Sequence, residues 1–308
     1  MAPARSAANP LRGAEHRKSR RFGSVRQQQR ENHRAPQSAE ALHAQALRLT
    51  SRGKYARAAL LFRRAISLAA ACSGSTRLFV AALWNDFGVL LKYAGRFERS
   101  EKMYRRAGAL ISRKNPRRGE FRATLCHNLA GLEHARGRYA RALFYAQRGL
   151  RLRNALSATD PLAIVKDRAA LAAILVDLGR LREAKGVLRG VLRAYHRRFG
   201  ERHYETASAL ANLGALYARD GRFRAAERAL RHALCALEIV LGRKHPRLAG
   251  VLNNLAVVCA RRGKLGESDA LYQRVLRLLR RHPGPGYPSI ALVRANRREL
   301  QFACKIPR

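Results

Sequence analysis

Residues 221–230 read Gly-Arg-Phe-Arg-Ala-Ala-Glu-Arg-Ala-Leu, and the opening of this stretch recurs along the chain. At six places a glycine is followed by a basic residue and then by an aromatic residue or a leucine, always 42 residues apart. These turn glycines are Gly53, Gly95, Gly137, Gly179, Gly221 and Gly263. Such a fixed period is typical of an array built from one repeated supersecondary unit.

Each unit reads as two helices joined at its turn glycine. Small residues recur seven positions before that glycine and five positions after it, where two helices that pack closely must cross. The set is Ala46, Gly88, Ala130, Ala172, Gly214 and Ala256 before the glycine, and Ala58, Ser100, Ala142, Ala184, Ala226 and Ser268 after it. For the first unit, Ser38 as N-cap predicts helices over about 39–52 and 54–71.

Helix breakers between the units keep the same register. A glycine or proline lies 21 residues after most turn glycines, at Gly74, Pro116, Gly200, Gly242 and Gly284, and Pro246 and Pro288 can open the next helix. Residues of about 289–303 predict one more helix that caps the last apolar face, before a short tail at 304–308. The sequence therefore predicts an all-α, right-handed α-solenoid of six helical hairpins plus a C-terminal capping helix, spanning 38–303.

Two phrases carry a family resemblance. Residues 213–217 (Leu-Gly-x-x-Tyr), with the aromatic and small residues of 221–233, resemble the tetratricopeptide repeat signature. The 42-residue period and residues 241–246 (Leu-Gly-Arg-Lys-His-Pro), followed by Asn-Asn-Leu-Ala at 253–256, resemble the kinesin light chain subtype. The resemblance implies a non-enzymatic protein-interaction scaffold, in which the first helix of each hairpin lines a concave groove for an extended segment of a partner protein.

The groove positions implied by the resemblance are rich in asparagine. Positions nine and ten before the turn glycines, with basic residues on or beside the same face, give the peptide-binding candidates Asn85, Asn128, Asn212, Asn253, Asn254, Lys92, Arg219 and Arg261. An asparagine amide can both donate to and accept from the backbone of an extended peptide. We expect Asn128, Asn212 and Asn254 to form one concave stripe, flanked by the basic residues. The alternative is that these asparagines bond to neighbouring helices and shape the superhelix.

The charge favours an acidic partner. The formal net charge is +43, with 63 Lys and Arg against 20 Asp and Glu. The abundance of Arg and Ala is typical of a GC-rich genome, but codon bias does not explain the scarcity of acids. This balance indicates an acidic peptide, nucleic acid or an anionic surface as partner, unless it only solvates the convex face. The alternative function is therefore a polyanion-binding, nucleic-acid-associated repeat protein, although the groove offers few aromatic residues beyond Tyr93 for base stacking.

The N-terminal residues 1–37 form a separate basic segment. They contain nine Lys or Arg but only Glu15 and Glu31 as acids, with few apolar residues. Such a composition cannot bury enough surface to offset the entropy of ordering the chain, so it predicts a disordered basic tail. Three roles stay open: contact with nucleic acid or an anionic lipid surface, an organelle transit peptide, or a passive solubilising tail.

The sequence carries no catalytic or metal-binding signature, so we expect neither an enzyme nor a cofactor. Gly263-Lys264 lacks the serine or threonine of a phosphate-binding loop, and the adjacent Cys126 and His127 point to different helix faces. His203 and His245 recur 42 residues apart without further converging ligands, which favours a structural role in loops over a metal site. The five cysteines are scattered and no apolar run is long enough to span a membrane, so a reducing, cytoplasmic location is expected.

Overall fold

The computed structural model describes residues 38–72, 76–111, 118–156, 160–281 and 290–305. These residues form thirteen α-helices and no strand. The helices are α1 Ala39–Ser51, α2 Tyr55–Ala71, α3 Arg77–Tyr93, α4 Phe97–Leu110, α5 Arg118–Ala135, α6 Tyr139–Asn154, α7 Pro161–Asp177, α8 Leu181–Phe199, α9 Tyr204–Arg219, α10 Phe223–Leu241, α11 Leu248–Arg261, α12 Leu265–Arg281 and α13 Ile290–Lys305. Consecutive helices pair into six hairpins, and α13 follows the last, so the predicted all-α solenoid is confirmed.

The turn glycines make each hairpin possible. All six adopt a positive φ of 70–76°, a region in which side chains other than glycine are strained. Gly200 and Gly242 end α8 and α10 with φ of 77° and 83°, at the predicted breaks. The Ser38 hydroxyl accepts a hydrogen bond from the Ala41 N–H, which confirms the first N-cap. Several predicted features lie outside the described residues: the breaks at Gly74, Pro116 and Gly284, the proline at 288, the 1–37 tail and residues 306–308.

The small residues lie where the two helices of a hairpin cross. All twelve are buried. A Cβ atom added to Gly88 would lie 2.6 Å from the Tyr104 ring, so α3 and α4 approach closely enough to exclude it. The Ser100 hydroxyl donates to the Gly88 carbonyl at 2.8 Å, and Ser268 donates in the same way to Ala256. The close crossing predicted from the sequence is thereby confirmed.

Contacts between successive hairpins also recur at fixed positions. The residue six positions after one turn glycine contacts the residue just before the next turn glycine. Glu101 bonds Arg136 at 2.8 Å, and Glu227 bonds Arg262. The corresponding positions between the third and fourth hairpins hold Leu143 and Leu178, which pack against one apolar cluster. The chemistry of the junction therefore varies along the array although the backbone repeats.

Helix α13 covers the end of the array. Val293 is fully buried against the cluster that holds Tyr272, Val275 and Leu279 of α12. The Arg297 guanidinium pairs with the Asp269 carboxylate at 2.5 Å. The helix runs two residues beyond its predicted end. Within the described ranges, no helix is both long and apolar enough to cross a membrane.

Candidate functional site

The inner side of the array encloses a cavity of about 670 Å³. First helices of hairpins, α3, α5, α7, α9 and α11, supply most of its lining, as expected for a concave groove. The polar and charged lining residues are Tyr93, His127, His134, Lys166, Tyr195, Tyr204, Glu205, Ser208, Asn212, Arg247 and Asn254. The cavity size is in the range of ordinary ligand sites, about 300–1,000 Å³.

Two of the predicted asparagines line this cavity together. Asn212 on α9 and Asn254 on α11 are half-buried, and neither amide hydrogen-bonds another residue in the described ranges. They come together because each lies nine residues before its turn glycine, so equivalent helices present them at equivalent places. Their donors and acceptors are therefore available to a ligand.

The other predicted asparagines lie between helices. The Asn128 amide donates to the Asn85 side-chain oxygen at 2.7 Å, which joins α5 to α3. Asn85 is 6% exposed and also donates to Asp86 at 3.1 Å. Asn253 is buried beside the groove. Asn85 and Asn128 thus have the placement of the architectural alternative, whereas the buried Asn253 side-chain oxygen has no hydrogen-bond partner in the described ranges. A peptide-binding role for all three stays a prediction.

The predicted basic residues do not line the cavity. The Lys92 Nζ atom lies 4.6 Å above the centre of the Tyr93 ring, next to the groove. Arg219 is exposed and donates to Asp177 at 3.1 Å. Arg261 is exposed near the end of α11. Lys166 on α7 does line the cavity.

Three aspartates on the groove helices bond histidines of neighbouring hairpins. His–Asp pairs with N···O distances of 2.7–2.8 Å join α1 to α3 and α5 to α7. The pairs are His43–Asp86, His127–Asp167 and His134–Asp177. Asp167 is also bonded by Arg153 at 2.6 Å. These bonds connect the first helices of neighbouring hairpins along the groove.

Two residues of the cavity, Arg247 and Tyr204, were not predicted from the sequence. The Arg247 guanidinium lies 4.1 Å from the centre of the Tyr93 ring and 5.2 Å from that of Tyr204. The nearby Lys92 ammonium lowers the pKa of Tyr93, burial opposes this shift, and Arg247 adds to the lowering. Tyr204 occupies the register position of Pro246, and this departure from the repeated phrase was the available sequence signal.

One carboxylate–thiol cluster outside the groove has metal-ligand spacing. Ligand atoms of Glu227, Cys259 and Glu267 lie within 4.8 Å of one another. Glu227 is already bonded by basic side chains, including Lys264 at 2.6 Å, and Arg231 bonds both glutamates. Burial raises the pKa of Cys259 to about 11, so the thiol stays neutral. The cluster is an ion-pair network that already satisfies its carboxylates.

Comparisons with known proteins agree with this geometry. Residues 166–238 and 248–286 each match a family described as tetratricopeptide repeat. This chain contains tetratricopeptide repeats. No curated protein matches its sequence. Tetratricopeptide repeats indicate a scaffold for protein–protein interaction.

Several solved structures resemble the fold at low identity. A Rap protein complexed with Competence and Sporulation Factor is 13% identical, with a TM-score of 0.54 over 86% of this chain and 75% of that one. A STAND protein with a tetratricopeptide repeat sensor from Pyrococcus horikoshii is 11% identical, with a TM-score of 0.54 over 86% and 43%. A putative kinesin light chain from Podosopora anserina is 16% identical, with a TM-score of 0.46 over 65% and 95%. At these identities the likeness concerns the fold alone.

Proposed function

We propose that the tetratricopeptide repeat array binds an extended, acidic segment of a partner protein in its concave groove. Asn212 and Asn254 would bond the backbone of the segment, and Lys166 and Arg247 would pair with its carboxylates. The observation that carries the proposal is that two unpaired amides share one cavity with these cations. Of the lining residues with a permanent charge, Lys166 and Arg247 are cations and Glu205 is an acid.

The spacing of the array suits an extended ligand. Neighbouring helices pack about 8–10 Å apart, and an extended peptide rises about 3.3 Å per residue. One hairpin would therefore address about three residues of the ligand. A segment of six to nine residues would span the groove between α7 and α11.

The first experiment measures binding of a fluorescein-labelled peptide in which glutamates alternate with apolar residues. Asn212→Ala and Asn254→Ala each remove one neutral hydrogen bond, worth about 0.5–1.5 kcal/mol. We therefore expect each to weaken binding by about two- to twelvefold in fluorescence anisotropy. Asn154→Ala, on the exposed end of α6, is the matched control and should leave the affinity unchanged.

Two results would contradict the proposal. Equal affinities for all three variants would remove the asparagines from the binding face. Displacement of the labelled peptide by transfer RNA, together with equal affinities for all three variants, would instead favour general polyanion binding on the basic outer surface. Melting curves of the variants should match the parent, because neither asparagine belongs to the packed core.

A further inference from the structure

The first hairpin touches a loop near the other end of the array. The His245 Nε2 atom, between α10 and α11, lies 2.8 Å from the Ser51 carbonyl oxygen, 194 residues away in sequence. A Cβ atom on Gly53 would lie 2.9 Å from Pro246. Units of a solenoid ordinarily contact only their neighbours. The superhelix therefore winds far enough for its first turn to meet the loop between the fifth and sixth hairpins.

The hydrogen bonds of His245 define its tautomer. Its Nδ1 atom accepts a hydrogen bond from the backbone N–H of Arg247 at 3.1 Å. In the neutral ring the proton is then on Nε2, which donates to the Ser51 carbonyl. His203 has the same role one repeat earlier, with Nδ1 accepting from Glu205 N–H at 3.2 Å. The ring of His203 instead stacks on Phe199, at 4.1 Å between ring centres.

Arg247 makes a second contact across the superhelix. Its guanidinium lies between Tyr93 of the second hairpin and Tyr204 of the fifth, inside the cavity that Asn212 and Asn254 line. His245 and Pro246 are buried, and so is Gly53. By contrast, the turn glycines of the third to sixth hairpins are exposed. One short loop thus covers the first turn and spans the groove.

We propose that Ser51, His245 and Arg247 form a latch that holds the superhelix closed over the cavity, and that an acidic segment enters by releasing it. The nature of the ligand rests on the function proposed above, whereas the latch itself does not. A carboxylate forms charge-assisted, bidentate hydrogen bonds with a guanidinium, which are stronger than a contact with a tyrosine face. The ligand would therefore replace Tyr93 as the partner of Arg247. The apparent affinity would be the intrinsic affinity multiplied by the fraction of molecules that are unlatched.

Small-angle X-ray scattering of the full chain tests the latch without any ligand. His245→Ala removes the bond from the Arg247 N–H before α11 and the bond to Ser51. His203→Ala removes the equivalent bond from the Glu205 N–H and a ring contact within its own hairpin junction, but no contact with the first hairpin. We expect a larger radius of gyration for His245→Ala and no change for His203→Ala, with equal helix content in circular dichroism. Equal radii for the two variants and the parent would overturn the latch.

A glycine pair provides an independent version of the same test. Gly53 and Gly137 have nearly equal φ, 70° and 73°, so alanine strains both turns alike. An added Cβ meets Pro246 only from Gly53, since it would meet nothing within 4 Å at Gly137. Expansion of Gly53→Ala alone supports the latch. Equal scattering curves for both variants contradict it.

Stopped-flow association of the glutamate-rich peptide tests the gating role. We expect a several-fold faster association for His245→Ala than for His203→Ala, because fewer molecules are closed. Equal rates would overturn gating even if the scattering shows a latch. If the peptide binds neither variant, the proposed function fails, and the scattering still decides whether the latch exists.

Discussion

The lack of a side chain at Gly88 allows α3 and α4 to pack closely in their hairpin. Gly88 lies under Tyr104, and any side-chain atom there would require the buried ring or a helix backbone to shift. Gly190 on α8 has the opposite surroundings, because an added Cβ would meet nothing within 4 Å. Both glycines are inside helices, where alanine is intrinsically the better residue.

This contrast predicts opposite effects of one substitution. Gly190→Ala should raise the free energy of unfolding by about 0.5–1 kcal/mol, the usual gain in helix propensity. Gly88→Ala gains the same propensity, but overpacking costs about 1–3 kcal/mol, so the net change should be destabilising. Chemical denaturation of both variants measures the difference. Stabilisation by both would mean that α3 and α4 can separate at little cost.

The asparagines show how far local register carries a prediction. Asn212 and Asn254 could be placed on the groove from their distance to the turn glycine. The same rule could not show that Asn85 and Asn128 bond each other, because this depends on how closely α3 and α5 approach. The rule could not place Arg247 in the groove, since the contact of Arg247 with Tyr93 depends on the accumulated winding of several hairpins.

At the scale of helices, the register also explains how hairpins recognise their neighbours. Glu101 with Arg136 and Leu143 with Leu178 occupy equivalent junctions but are chemically incompatible with each other. An exchange that set Glu101 against Leu178, or Leu143 against Arg136, would place a charge against an apolar side chain. Turns and crossings follow from the repeat in the sequence, whereas these junction contacts required the structure.

The junction at Glu227 predicts a pH dependence. Burial alone would raise the pKa of this carboxylate, but hydrogen bonds from Lys264, Arg231 and Arg262 outweigh it and lower the pKa to about 2. A carboxylate with a pKa below its unfolded value stabilises the fold above that unfolded value, about 4.3. The stabilisation is lost as the pH falls towards 2.

Glu227→Gln should therefore be less stable at pH 7 by about 1–3 kcal/mol, and its stability should change less between pH 4.5 and pH 2. Urea denaturation at several pH values measures both effects. Glu201→Gln is the control, because Glu201 is exposed in a loop. Parallel pH profiles for the parent and Glu227→Gln would show that the network does not stabilise the junction.

At the scale of the molecule, α13 closes an apolar end that the sixth hairpin leaves open. A chain ending at Arg281 would expose Tyr272 and Val275, and burial of one large apolar side chain contributes about 1.5–3 kcal/mol. We expect the melting temperature to fall by about 5 °C or more. Removal of residues 306–308 alone is the control. Equal melting temperatures for the two truncated chains would mean that α13 does not act as a cap.

The contact between Ser51 and His245 also has a consequence for synthesis on the ribosome. The two residues are 194 positions apart, and ribosomes add about 5–20 residues per second. The first hairpin therefore waits about 10–40 seconds for the loop that covers its turn. During that interval the loop is missing and the inner side of the nascent array faces solvent. A partner that meets the chain at this stage can occupy the groove before the spiral closes around it.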